Sequence, residues 1–116
     1  MRLIVGILVG AAGVTLAAPA FAGEAFVGRW AVKPAACRGF GKTTATAPLV
    51  ATDLVVTWTG GPCRIHKMYK LGQTFYMQTR CYDHGTEDVP ITFDLHGDRM
   101  RVTWNRGKPE DLQRCR

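Results

Sequence analysis

The residues able to do chemistry in this 116-residue chain are three histidines, His66, His84 and His96, nine acidic residues and four cysteines, Cys37, Cys63, Cys81 and Cys115. The chain has no serine, so the commonest hydroxyl nucleophile is missing. The histidines show no zinc-ligand spacing, and the cysteines are better explained as disulfides, so no metal is expected. The loop Asp83-His84-Gly85-Thr86-Glu87-Asp88 gathers carboxylates but lacks the alternating acids, central glycine and closing glutamate of an EF-hand. It reads as a connecting loop. Gly39-Phe40-Gly41-Lys42-Thr43 shares the ending of a P-loop, yet Ala36 stands where that motif needs its first glycine. A carboxylate pair of the glycosidase kind would need two free acids, whereas the acids that can be placed fall in turns or opposite arginines. The expectation is a protein without enzymatic activity and without a cofactor.

The four cysteines follow an N-terminus of a distinct kind. Met1-Arg2 precedes an apolar stretch, residues 3–16, diluted by Gly6, Gly10 and Gly13, and then come Pro19 and the small-x-small triplet Ala20-Phe21-Ala22. That order is the n-region, h-region and cleavage site of a secretory signal. Residues 3–22 are also just long enough to span a hydrocarbon core of roughly 30 Å, but the glycines and the A-x-A ending suit removal better than anchoring. Residues 1–22 are therefore expected to be a signal peptide. Residues 23–116 are expected to be a single disulfide-bonded β-domain, periplasmic or secreted, with no stable membrane insertion after cleavage.

Alternation with a period of two recurs through those residues, and a 3.6-residue period does not. Ile91, Phe93 and Leu95 alternate with polar residues up to Gly97-Asp98, and Met100, Val102 and Trp104 alternate after it. A two-residue turn there pairs Leu95 with Met100, Phe93 with Val102 and Ile91 with Trp104, and on the other face Asp94 with Arg101. Gly60-Gly61 as a second turn pairs Trp58 with Cys63 and Val56 with Ile65. A turn centred on Gly72 sets Cys63 opposite Cys81 and Ile65 opposite Thr79. Both hairpins put Cys63 on the apolar face, which favours a Cys63–Cys81 bridge and leaves Cys37 for Cys115, although four cysteines allow three connectivities. The longer loop would add on the order of 4 kcal/mol in the chain-entropy model.

Residues 26–32 form a further alternating strand that Pro34 ends. Residues 35–52 read as a long loop holding at most one short element, and Pro109-Glu110-Asp111 could open a single helical turn. The fold class expected is all-β, an antiparallel meander of six or seven strands forming a small barrel or half-barrel, with two disulfides and at most one short helix.

The formal charge of +6 is scattered along the chain, with no run of Lys and Arg, which argues against a nucleic-acid partner. One outward cluster stands out. In the registers above Arg64 faces Arg80, His66 faces Gln78, and Met68 faces Tyr76. Two arginines opposed across strands repel unless solvent or an anion screens them; hydrated, splayed side chains are one reading, and a candidate anion or partner surface of Arg64, Arg80, His66 and Tyr76 is the other. Trp30, Trp58, Phe93 and Trp104 are the aromatics that would line a cavity if the barrel had one, and otherwise form its core.

Gly28-Arg29-Trp30-Ala31, with Pro34 and Cys37 after it, resembles the start of small exported bacterial proteins with a G-x-W opening strand, many of them without an assigned function. It is also similar to the first strand of lipocalin-like barrels and of small periplasmic metalloprotease inhibitors. The lipocalin resemblance implies that Trp30 closes the base of a barrel. The leading expectation is an exported, monomeric, non-enzymatic binding domain, with an inhibitor of an envelope hydrolase as its sharpest form. A small-ligand-binding lipocalin-like barrel is one alternative, and a basic surface for an anionic envelope polymer is the other.

Overall fold

A computed structural model describes residues 24–116, so the expected signal peptide, residues 1–22, lies outside the described residues. Eight antiparallel strands follow in order: β1 (Gly28–Ala31), β2 (Leu49–Ala51), β3 (Val55–Thr57), β4 (Cys63–Leu71), β5 (Thr74–Cys81), β6 (Asp88–His96), β7 (Arg99–Trp104) and β8 (Glu110–Arg114). Each strand pairs with the next, and β8 pairs with β1, so the sheet closes into a full barrel. The helical pieces among the described residues are two 3-10 turns, Pro34–Arg38 and Tyr82–His84. No helix among the described residues is long and apolar enough to cross a membrane.

The strictest alternation in the sequence makes the most regular part of the wall. β6 and β7 pair in the expected register, from Ile91 opposite Trp104 to His96 opposite Arg99. Their two-residue loop begins at Gly97 with φ +66°, and the β4–β5 loop begins at Gly72 with φ +62°, a backbone region that glycine enters without steric cost. A slip of one residue would turn Phe93 and Val102, both buried, out to water.

Elsewhere the structure departs from the simple hairpin reading in four ways. Val56, and not Trp58, stands opposite Cys63, which shifts the β3–β4 register by two residues and keeps the same face inward. Pro62 has no N–H to give to the ladder, and the freed Trp58 packs its ring 5.7 Å from that of Trp104. In β4 the register slips between Ile65 and Lys67, leaving His66 as the extra residue of a β-bulge. Residues 110–114 form the closing strand in place of a helical turn, because Leu112 fills the core opposite Met100 while both edges of the segment find partners. Residues 35–52 contain most of a 3-10 turn and all of the short strand β2, which brings the strand count to eight.

The barrel interior is filled by side chains. Trp30, Leu49, Phe75, Ile91, Phe93, Val102 and Leu112 are buried, and Thr79, the one buried polar residue among the described residues, donates to the Val89 carbonyl at 2.8 Å. Phe26, ahead of β1, is fully buried and meets Phe75 and Phe93 edge-on at 5.0 and 5.3 Å. The backbone of residues 25–27 is pinned by three hydrogen bonds from side chains. Trp30 Nε1 donates to the Phe26 carbonyl at 2.9 Å, and the Arg114 guanidinium donates to the Val27 and Ala25 carbonyls at 3.1 and 2.9 Å. The same guanidinium lies 4.2 Å above the Trp30 ring.

Both expected bridges are formed. Cys63 and Cys81 face each other directly on β4 and β5, and Cys37–Cys115 joins residues 78 apart in sequence, tying the first 3-10 turn to the end of β8. Non-reducing peptide mapping should recover these two pairs and no free thiol. Replacing both Cys37 and Cys115 by alanine should cost about 2–5 kcal/mol of unfolding free energy, read by denaturant titration. Phe26→Ala should cost about 3–5 kcal/mol in the same measurement, since it empties a close-packed space between two rings.

Candidate binding surface

The outer wall of β4, β5 and β6 carries the residues singled out from the sequence, and the structure divides them into two groups. Arg64 stands directly opposite Arg80, as the cross-strand reading expects. The anion that screens this pair is internal. Asp88, the first residue of β6, is registered opposite Arg80, and its Oδ1 accepts from Arg80 Nε at 3.3 Å and lies 3.0 Å from His66 Nε2. Partial desolvation works against ionisation of Asp88, but the hydrogen bonds from Arg80 and His66, with their charges, hold its carboxyl below the usual aspartate range. Arg64 makes no ion pair among the described residues.

Asp88 is the neighbour of this cluster that sequence reasoning missed. It is the last acid of the segment read as a loop, and its place as the start of β6 was signalled only by its distance of three residues from Ile91 in an alternating run.

Tyr76 belongs to the second group. The bulge at His66 moves Tyr69, in place of Met68, opposite Tyr76, and it sets Lys67 opposite Gln78, so His66 has no direct partner on β5. The two tyrosine rings stack with centroids 5.1 Å apart and planes 17° from parallel. Tyr69 and the neighbouring Leu71 are each 62% exposed. Along β5, Gln78 separates Tyr76 from Arg80 on the same face. A groove of about 140 Å³ runs beside the stack, lined by Lys67, Tyr69, Tyr76, Gln78, Pro90 and Thr92. It offers an aromatic surface and several hydrogen-bonding groups, a set suited to binding.

On β6–β8 a wider depression of about 330 Å³ is lined by paired charges. Arg101 grips Asp111 with two hydrogen bonds at 2.8 and 3.4 Å, so its ion pair goes to β8 although Asp94 stands opposite it on β6. Asp94 accepts from Thr74 Oγ1 at 3.0 Å and lies 3.2 Å from His96 Nε2. These contacts lower the carboxyl pKa of both aspartates, through the Arg101 hydrogen bond at Asp111 and the Thr74 hydrogen bond, then that of His96, at Asp94. His84 is likewise 3.1 Å from Asp83. Each histidine thus has an aspartate partner.

The four aromatics considered for a cavity are built into the packing. Trp30 and Phe93 are fully buried, and Trp58 and Trp104 pack on one another. Trp58 Nε1 is buried without a hydrogen-bond acceptor.

Because the fold lowers the pKa of Asp83, Asp88, Asp94 and Asp111, their charged forms stabilise it above the ordinary carboxylate range, and that stabilisation is lost as pH falls through the lowered values. Thermal melts should therefore show Tm level near neutrality and falling once pH drops below about 4. Asp88→Asn should flatten part of that fall. It also leaves Arg64 and Arg80 opposed without their internal anion, so its Tm should rise with added sulfate more than that of the parent protein. Comparison of the chain with protein-family models, with curated proteins and with solved structures gives no match.

Proposed function

We propose that this protein is an exported, non-enzymatic binding domain that engages an envelope protein through the outer wall of β4–β6. The partner class we favour is a hydrolase whose activity it blocks. The observation that carries the reading is the exposed Tyr69–Tyr76 stack, continued by Leu71 and bordered by Lys67 and Gln78. Stacked tyrosines on a rigid sheet present a large contact area at little entropic cost, and aromatic and arginine side chains dominate the energetics of protein interfaces. The two disulfides support an oxidising compartment, periplasmic or extracellular.

The alternatives find less support. A lipocalin-like ligand site needs interior volume, which Phe26, Trp30, Phe75 and Phe93 occupy. A polyanion site needs several free cations side by side, and in the expected cluster Arg80 and His66 share Asp88, which leaves Arg64 as its one uncompensated cation.

Affinity capture from an envelope extract tests the reading with the purified oxidised protein beside a Tyr69→Ala/Tyr76→Ala variant. One protein held at high salt by the parent and lost by the variant is the expected result. Recovery of salt-labile polyanions alone, or equal capture by both, would overturn it.

A further inference from the structure

The connection from β1 to β2 carries one side chain that the fold leaves almost wholly in water. Phe40 is 98% exposed, the most exposed large apolar residue described. Its loop is braced on both sides. Cys37, just before it, is bonded to Cys115, and the Arg29 guanidinium donates to the Cys37 carbonyl. Gly39 N donates to the Ala36 carbonyl at 3.1 Å and Gly41 N to the Thr46 carbonyl at 3.3 Å. The far limb is locked by Thr43 and Thr46, whose hydroxyls are 2.8 Å apart, while Thr46 N and Ala47 N both donate to the Thr43 carbonyl.

The glycines flanking Phe40 are part of the brace. A Cβ at Gly39 would collide with the Thr46 carbonyl, and one at Gly41 with the Thr46 side chain. Only glycine lets the chain lie this close to Thr46 on either side of the phenylalanine. Gly39 is extended, with φ −84° and ψ 166°, and residues 39–41 contain no turn. The apex is thus entered through an extended Gly39, is apolar at one point, lies between Arg38 and Lys42 and is held from both ends.

We propose that this loop is an inhibitory contact in which Phe40 fills the primary-specificity pocket of an endopeptidase that accepts an aromatic side chain. The proposal rests on the reading of the chain as a protein-binding domain, and it uses a surface other than the Tyr69–Tyr76 face. Three features favour a peptidase cleft. A cleft of this kind takes a single large side chain from an extended backbone. Gly39 and Gly41 put no side chain beside Phe40, so the ring stands clear of its neighbours, while their amides are held by the Ala36 and Thr46 carbonyls. The clamped limbs lower the ordering cost of binding and hold both ends in place if the loop is cut. A bilayer is the competing occupant, but one aromatic and two cations give only marginal adsorption to lipid, and the bracing contributes nothing there.

The test uses chymotrypsin, whose primary pocket is a hydrophobic slot, as the probe. The purified oxidised protein is titrated into the enzyme while hydrolysis of a small chromogenic substrate is followed. Inhibition is expected, with slow cleavage at Phe40. Phe40→Ala should weaken it about 100-fold or more with Tm unchanged, and Phe40→Tyr should preserve it. Absence of inhibition, rapid cleavage at Phe40 as in an ordinary substrate, or equal inhibition by Phe40→Ala would overturn the proposal. Phe40-dependent binding to anionic vesicles without peptidase inhibition would overturn it in favour of a membrane anchor. If this proposal alone fails, Phe40→Ala still captures the partner of the Tyr69–Tyr76 face; if the underlying reading fails, neither protein captures one.

Discussion

The guanidinium of Arg114 over the indole of Trp30 is the contact on which the rest of the barrel depends. It lies where the first and last strands meet, and it joins three jobs in one side chain. Arg114 is registered opposite Trp30 in the β1–β8 ladder, it covers the ring of that tryptophan, and its donors hold the carbonyls of Ala25 and Val27. The segment so held delivers Phe26 into the core. Strands as short as β1, β2 and β3 would have little stability alone, and closing the sheet removes the edges they would otherwise expose.

A barrel closed and filled in this way leaves its outer wall and loops as the surfaces open to other molecules. Its inner face is spent on packing, with Phe26 against Phe75 and Phe93. On the wall most charges are matched locally, Arg80 and His66 by Asp88 and Arg101 by Asp111. The tyrosine stack on β4–β5 and the phenylalanine of the β1–β2 connection stay exposed, and contact with another molecule there would remove apolar surface from water.

The parts of the fold legible in the sequence were those where one residue type alternates strictly with another. Every pair of the β6–β7 hairpin could be read, because a run such as Ile91-Thr92-Phe93-Asp94-Leu95 leaves one register and Gly97-Asp98 leaves one turn. The Cys63–Cys81 opposition followed from the same logic. The bulge was not legible, since His66 and Lys67 are both polar and nothing in the pattern marks the extra residue. That single insertion separated Tyr76 from its expected neighbours and paired it with Tyr69. The closing strand was hidden for a related reason. Residues 110–114 hold one apolar side chain, Leu112, and their strand conformation comes from two flanking ladders that local propensity does not encode. Asp88 was missed because its role depends on β6 lying beside β5.

The wide span of the Cys37–Cys115 bridge sets an order of events for oxidation. Cys63 and Cys81 lie on adjacent strands of one hairpin and are 18 residues apart, so they meet as soon as that hairpin forms. Cys37 is made earlier than either, yet its partner arrives 78 residues later, after every other strand exists. Throughout that interval it is a thiol close in sequence to Cys63 and able to capture it by exchange. An oxidant alone would fix such early errors in place. This barrel therefore matures best where thiols are reshuffled as well as oxidised, and the last bond to form is the one that records that the chain has closed.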